Sequence, residues 1–546
     1  MKINFTKSWP VFLTVLALAF GAVGVSPALA ATFPVTNLHD SGAGSLRQAI
    51  TNANASAGAD TIAFGVSGTI TLASTLPNIT DPAGLTIDGT GQSVVISGNN
   101  AVRVLWVNPG AALTLKKLTI AHGNSGLYSG GALVVSGGSV TIKTSTFSGN
   151  HADGTFGGGG AISTSSASTL TITSSTFVGN SASNSGGAIA ADSTTTVIAN
   201  STFSGNSTGS GSGGDISNSN GIATITNSTF SGQGAAGGGI SNSGTVTLSN
   251  SIVANSTAGV NCSGLIINGG NNIDDGTSCG WGSASGSMSS TNPMLGALTG
   301  SPAYFPLTTG IPASPAIDAG NDAACAAAPV NNTSQNGNTR PQGVHCDIGS
   351  FEARAIASLS VPSNAVQDGW VLESSQTSEV GGAFNAAAST IKLGDDTARR
   401  QYRGILSFGT GAGLPNNAVI TSVTLNVKKS AVVGSGNPVT IFQGFVLDVR
   451  NGVFGGAVLQ PGDFQAAASK SFGPFKPVLL GGWYAIDLSA AKGYINKLAT
   501  NGGLTQIRLR FKLGDNGNAV ANYLSLFSGN APIDSRPQLI IQYYVP

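Results

Sequence analysis

Charge is the scarcest commodity in this chain. Only 9% of its 546 residues are Asp, Glu, Lys or Arg, against roughly 25% in an average globular domain. The formal net charge is +1 and no basic run occurs, so the electrostatic footprint that a nucleic-acid partner requires is missing. Carboxylates are scarcest where catalysis would need them: between Leu113 and Asn255 only Asp153, Asp192 and Asp215 occur, with no Glu and no Arg. Long apolar runs are confined to the first 30 residues, and no later stretch approaches the roughly 20 needed to span a bilayer. There are four cysteines and no C-x-x-C pair, which argues against a zinc site.

What the chain has instead is a leader and a repeat. Lys2 and Lys7 precede an almost wholly apolar stretch from Val11 to Val25, and Ala28-Leu29-Ala30 is a small-x-small cleavage site. That is the pattern of a secretion signal cut before Ala31, so residues 1–30 are expected to be removed and the mature chain to be secreted or held at the cell surface. In that compartment an even cysteine count reads as disulfides. Cys262 with Cys279 and Cys325 with Cys346, 17 and 21 residues apart, is the most economical of the three connectivities.

The repeat is Ser-Thr-Phe-Ser-Gly-Asn. It runs Ser145 to Asn150, recurs as Ser175 to Asn180 and Ser201 to Asn206, and fades through Ser228-Thr229-Phe230 to Ser251-Ile252-Val253. Phe147, Phe177, Phe203 and Phe230 are 30, 26 and 27 residues apart, the period of a solenoid whose rungs cannot bury their own apolar faces. Each rung has two strand signals. One enters from a glycine pair, as in Gly159-Gly160-Ala161-Ile162; the other is an alternating run such as Leu170-Thr171-Ile172-Thr173. Stacking predicts interior ladders of aliphatics and of the four phenylalanines. The asparagines of Asn200-Ser201-Thr202 and Asn227-Ser228-Thr229 are expected at bends, bonding backbone. With Leu85-Thr86-Ile87 and Leu118-Thr119-Ile120 upstream, a right-handed parallel β-helix of nine or ten turns is expected from about Ile62.

Gly44-Ser45-Leu46-Arg47-Gln48-Ala49-Ile50 and Asp60-Thr61-Ile62-Ala63-Phe64 resemble the N-terminal cap of secreted β-helix proteins of the choice-of-anchor type, whose polymorphic outer-membrane relatives share the repeats. Ser314-Pro315-Ala316-Ile317-Asp318, Arg340-Pro341 and Cys346-Asp347-Ile348-Gly349-Ser350-Phe351-Glu352 resemble the family's exit, although Asn336-Gly337-Asn338-Thr339 replaces its usual Asp-x-Arg-Gly. The resemblance implies a surface or extracellular protein with no single activity. Residues 303–352 are expected to cover the open end of the solenoid, closing a domain of residues 31–352.

From 353 to 546 the repeat stops and eight to ten longer strands are expected, as in Ile420 to Val427, Trp483 to Leu488, Gln506 to Leu513 and Gln538 to Tyr544. They predict a β-sandwich, a jelly roll, with one short helix between Ala490 and Thr500. Asp368-Gly369-Trp370-Val371, Arg403-Gly404-Ile405-Leu406-Ser407-Phe408 and Arg536-Pro537-Gln538-Leu539 are similar to DNRLRE or disaggregatase-related domains, which implies a carbohydrate-binding-like module.

The candidate chemistry follows. Lyase action needs clustered carboxylates for calcium beside a base, and hydrolysis needs facing acids. Asp153, Asp192 and Asp215 occupy different rung positions, which points away from catalysis. No catalytic residue and no required cofactor is assigned. Asp515, Asn516 and Asn518 form an oxygen-rich loop that suits calcium or, equally in kind, a hairpin turn. Trp370, Trp483, Tyr484 and Tyr523 are the candidates for stacking on sugar rings. The expected work is non-catalytic attachment to extracellular polysaccharide or the cell envelope, with no nucleic acid and no membrane span. The alternatives are a polysaccharide lyase or glycosidase with a targeting module, or a purely structural surface protein.

Overall fold

The computed structural model describes residues 30–545, apart from 156, 210, 235–237, 258–259 and 310–311. The leader therefore lies outside the described residues. The chain divides into two compact units, one ending at Ala353 and one beginning at Arg354.

The first unit is a parallel β-solenoid. Its turns build three long sheets of ten, nine and seven strands in which each strand pairs with its counterpart one turn away. Seven turns carry all three strands, flanked by partial turns at both ends, so the coil makes about eight turns where nine or ten were expected. Register is exact in residue type: Ile87, Leu115, Ile142, Ile172, Ile198, Ile225 and Leu248 succeed one another along the first sheet and are fully buried. The phenylalanines form the expected interior ladder, Phe147 on Phe177 at 5.0 Å, Phe177 on Phe203 at 4.8 Å and Phe203 on Phe230 at 4.6 Å. These separations follow the spacing of neighbouring strands, so one backbone repeat stacks the rings. The glycine pairs permit the stacking: a Cβ on Gly187 would stand 2.2 Å from the Gly214 carbonyl oxygen of the next turn.

A second ladder was not foreseen. Asn150, Asn180 and Asn206, closing the Phe-x-Gly-Asn repeats, are fully buried. Asn150 donates its backbone N–H and its amide to Asn180 Oδ1 at 3.0 and 2.9 Å, and Asn180 does the same to Asn206 Oδ1. The amides satisfy the buried polar groups at a corner where the backbone turns away from sheet pairing.

At the N-terminal end, helix Leu46–Ala55 packs Leu46, Ala49, Ile50 and Ala53 into the solenoid core, with Ser45 as its N-cap. At the other end the expectation for residues 303–352 needs correction. Trp281 and the Cys262–Cys279 disulfide join the interior core and close it. The later segment instead returns along the flank of the second sheet. Thr176 Oγ1 donates to Ala303 O, Thr202 Oγ1 to Gln335 Oε1 at 2.6 Å, and Ser350 N–H donates to Thr229 Oγ1 at 3.0 Å. Asn200 and Asn227 do sit at bends, with φ of 49° and 47°. Their amides reach the carbonyls of Thr333 and Asp347 in the returning segment rather than their own turns, and Asn250 at the next such bend reaches Asn321 O. The second disulfide, Cys325–Cys346, staples this segment.

The exit motif is a knot around one guanidinium. Arg340, fully buried at its side chain with Glu352, donates to Glu352 Oε2 at 3.0 Å and to the carbonyls of Asp347 and Gly349 at 2.7 Å each. Burial pushes the Asp347 carboxyl up to about 7, and the charge of Glu352 adds to the rise.

The second unit is antiparallel and contains 13 strands, more than the eight to ten expected. The long strand Val419–Val433 belongs to two sheets, pairing Gln538–Tyr544 and Trp483–Asp487 along its first part and Asn522–Phe527 beyond a register shift between Lys429 and Ala431. Val423, Leu425, Ile486 and Leu539 of one sheet share a core with Leu393, Leu406, Leu447 and Leu524 of the other, so the sheets pack face to face. The expected helix near 490–500 is a 3-10 turn, Ser489–Tyr494.

Candidate functional site

Four adjacent strands of the second unit bring two of the sugar-stacking candidates together. Trp370 lies on Gly369–Glu373, Tyr402 on Gln401–Phe408, Lys392 on Thr390–Asp395 and Tyr523 on Asn522–Phe527. Gly394 is the pivot, since it pairs with Tyr402 on one side and Tyr523 on the other. A Cβ there would stand 2.2 Å from Asn522 O. With no side chain at that position, the two flanking rings approach to 5.5 Å. Trp370 meets Tyr402 edge-on at 5.3 Å. Lys392, two residues along the strand from Gly394, holds its ammonium 5.0 Å from the Trp370 ring, 5.2 Å from Tyr402 and 5.0 Å from Tyr523. Tyr402 is buried, whereas Trp370, Lys392 and Tyr523 are half-buried. Rings around a cation, with Trp370, Lys392 and Tyr523 partly reached by solvent, form a platform that can stack apolar sugar faces and attract a sugar acid. Sequence reasoning missed Tyr402 and Lys392, because their meeting depends on strand order.

The other two stacking candidates lie elsewhere. Trp483 is half-buried with Lys428 5.6 Å from its ring. Tyr484 is only 5% exposed and packs edge-on against Phe445 at 5.4 Å. It is a core residue, which corrects the expectation of a sugar-facing ring.

The loop Asp515, Asn516, Asn518 is held by its own donors and by one guanidinium. Asp515 Oδ1 accepts from Arg399 Nη2 at 2.8 Å, from Arg399 Nε at 3.2 Å and from Gly517 N–H at 2.8 Å. Asn516 Oδ1 accepts from Asn518 N–H, and Asn518 Oδ1 from Val520 N–H. The oxygens that an ion would need are turned onto the loop's own donors, and a guanidinium supplies the positive charge. These bonds are those of a turn. Among the described residues no three His, Cys, Asp or Glu side chains group to hold a metal.

A basic cleft lies on the neighbouring strands. Asp448, almost fully buried, receives Arg508 Nε at 2.9 Å and Arg510 Nε at 3.2 Å. Burial alone would raise its carboxyl; the Ser471 hydroxyl and the two guanidinium groups outweigh it and hold the acid below its ordinary range. Arg403 and Lys470 complete a cleft of about 470 Å³. Arg403 and Arg508 direct donors into the carbonyls of Phe464, Asp463 and Ala466, so they fasten the loop above them.

On the solenoid the three acids do not converge. Asp192 is exposed at the end of its strand, and Asp215 is fully buried in the interior. His151 Nδ1 bonds Ser181 Oγ at 2.8 Å. His345 pairs with Asp322 at 2.9 Å on the surface.

No helix among the described residues is long and apolar enough to cross a membrane, and the two disulfides are compatible with an extracellular protein. No family model matches the chain, and no curated protein does. Among solved structures it is similar to jun a 1, the major allergen from cedar pollen, at 18% identity over 41% of this chain and 66% of that one, with a TM-score of 0.29. It is also similar to the enzymatically active domain of tailspike protein 4 from bacteriophage CBA120, at 12% identity over 91% of this chain and 66% of that one, with a TM-score of 0.20. The chain thus spans just under two thirds of either structure. Scores this low carry no argument about activity, and the fold rests on the strand pairing itself.

Proposed function

We propose that this is an exported, non-catalytic attachment protein that holds extracellular polysaccharide or the cell envelope through its second unit. The observation that supports this reading is the arrangement of Trp370, Tyr402 and Tyr523 around Lys392. Rings give sugar faces a stacking surface, and the ammonium favours chains bearing carboxylates over neutral ones. The dispersal of Asp153, Asp192 and Asp215 gives the lyase or glycosidase reading no site to stand on.

The test is retention of the chain by uronate-bearing and neutral polysaccharides in affinity electrophoresis. Acidic chains are expected to retard it. Trp370→Ala and Lys392→Gln should each weaken retardation by about tenfold, the equivalent of about 1.4 kcal/mol. A chelator should leave retardation unchanged, because Arg399 and not an ion organises the Asp515 loop. Equal mobility in all polysaccharides would sink the reading.

A further inference from the structure

The second unit displays an apolar hairpin that its own fold leaves uncovered. Leu479–Leu480 pairs with Trp483–Asp487 across Gly481 and Gly482. Val478 and Leu480 are 73% and 72% exposed, and Leu479 is 37% exposed. Single exposed aliphatics are ordinary, but three in succession at a hairpin tip mark a contact surface.

The charge beside this tip is mainly positive. Lys428 and Lys429 lie on Val419–Val433, the strand the hairpin pairs with, Lys476 precedes Val478, and Lys470 opens the strand that leads in; the one carboxylate on the hairpin's own strands, Asp487, ends its strand opposite Thr424, away from the turn. Among the described residues none of these four forms an ion pair. A chain with 24 basic and 23 acidic residues has thus segregated lysines here. Between Lys429 and Lys476 opens a cavity of about 500 Å³, walled by Val432, Pro438, Val439 and Tyr484. Trp483 stands half-buried beside the turn, paired with Leu480.

We propose that this hairpin docks on an anionic phospholipid surface. The boundary between acyl chains and headgroups, where aromatic side chains gather, takes Leu480, its cross-strand neighbour Trp483 and Val478, and the lipid phosphates meet Lys429 and Lys476. Polybasic collars are attracted to negatively charged leaflets, and a polysaccharide offers no apolar phase to an aliphatic tip. One shallow insertion holds reversibly, so the contact is peripheral. It is independent of the Trp370 platform.

The test is co-sedimentation of residues 31–546 with vesicles of phosphatidylglycerol and phosphatidylcholine, compared with phosphatidylcholine alone. The chain is expected to sediment with the anionic vesicles and not the neutral ones. The pair Val478→Ser with Leu480→Ser, and the pair Lys429→Gln with Lys476→Gln, should each lower the partition coefficient at least about tenfold. Retention of both variants by acidic polysaccharide would be unchanged, which separates this surface from the sugar platform and shows that they fold. Absence of sedimentation with anionic vesicles overturns the proposal, as does sedimentation that neither pair alters. Uptake of a soluble anionic amphiphile without vesicle binding overturns it too, since it would make the cavity a carrier site.

Discussion

Asp215 stands where Ala188 stands one turn earlier, with the backbones bonded at 3.1 Å, and it is fully buried. Its Oδ1 accepts the Asn206 amide at 2.7 Å, so it terminates the buried asparagine ladder. Burial pushes its carboxyl up to about 8 from an ordinary 3.8, and folding therefore favours the protonated acid. That contribution to stability is complete below the ordinary value of 3.8 and is lost progressively as pH rises toward about 8. Burial also lifts Asp347 and Asp368 to about 7 each, so the wild-type chain is expected to lose thermal stability from mild acid to mild base. Asp215→Asn keeps an acceptor for Asn206 and removes one titration. Melting curves across that range should show a shallower decline for the variant and a higher midpoint at the basic end. The opposite outcome, equal slopes, would mean that the acid is hydrated. Arg340 is a second sensitive residue. Arg340→Ala leaves Glu352 buried without its partner and should cost about 3–5 kcal/mol. Arg340→Lys should recover little, because an ammonium cannot reach three acceptors lying in a guanidinium plane.

At the scale of elements, the repeat rungs were the legible part of the sequence. A period near 27 with Phe at a fixed place leaves one way to bury the rings, and all four are fully buried in the second sheet. Phe203 has a ring on either side, so Phe203→Ala opens a cavity with no residue positioned to fill it. Chemical denaturation should show a loss of roughly 3–5 kcal/mol, and Phe203→Leu distinctly less. What the sequence hid was every contact set by tertiary return. Asn200 and Asn227 reveal a bend through their turn chemistry, but the carbonyls they bond come from residues 333 and 347. Likewise Trp370 and Tyr523 are 153 positions apart in the chain, and only the order of four strands places Lys392 between their rings. Tyr484 failed as a sugar candidate for the same reason: alternation tells which residues share a face, not which face meets the core. The Asp515 loop was read correctly as oxygen-rich, yet its charge partner, Arg399, is 116 residues away.

At the scale of the first unit as a whole, a solenoid is a one-dimensional object in which each turn contacts only its neighbours, and such arrays fray from their ends. The returning segment changes that. Its contacts at Thr176, Thr202, Thr229 and Asn250 touch four successive turns, and Leu307, Ala316 and Ile348 form an apolar cluster with Ile252 and Ile273. Turns that are not neighbours in the stack are thereby tied to one strap. The Cys325–Cys346 bond closes a loop of 21 residues within it, a constraint on the unfolded chain of about 3 kcal/mol. Replacing both cysteines by serine removes that constraint and leaves the phenylalanine ladder in place. Hydrogen exchange should then speed in residues 303–352 and in the turns carrying Thr176, Thr202 and Thr229, while turns before Leu118 keep their protection. Faster exchange confined to residues 325–346 would show that the strap is fastened by its side-chain hydrogen bonds alone. Loss of protection throughout the coil would show that the strap nucleates the stack rather than bracing a stack already formed.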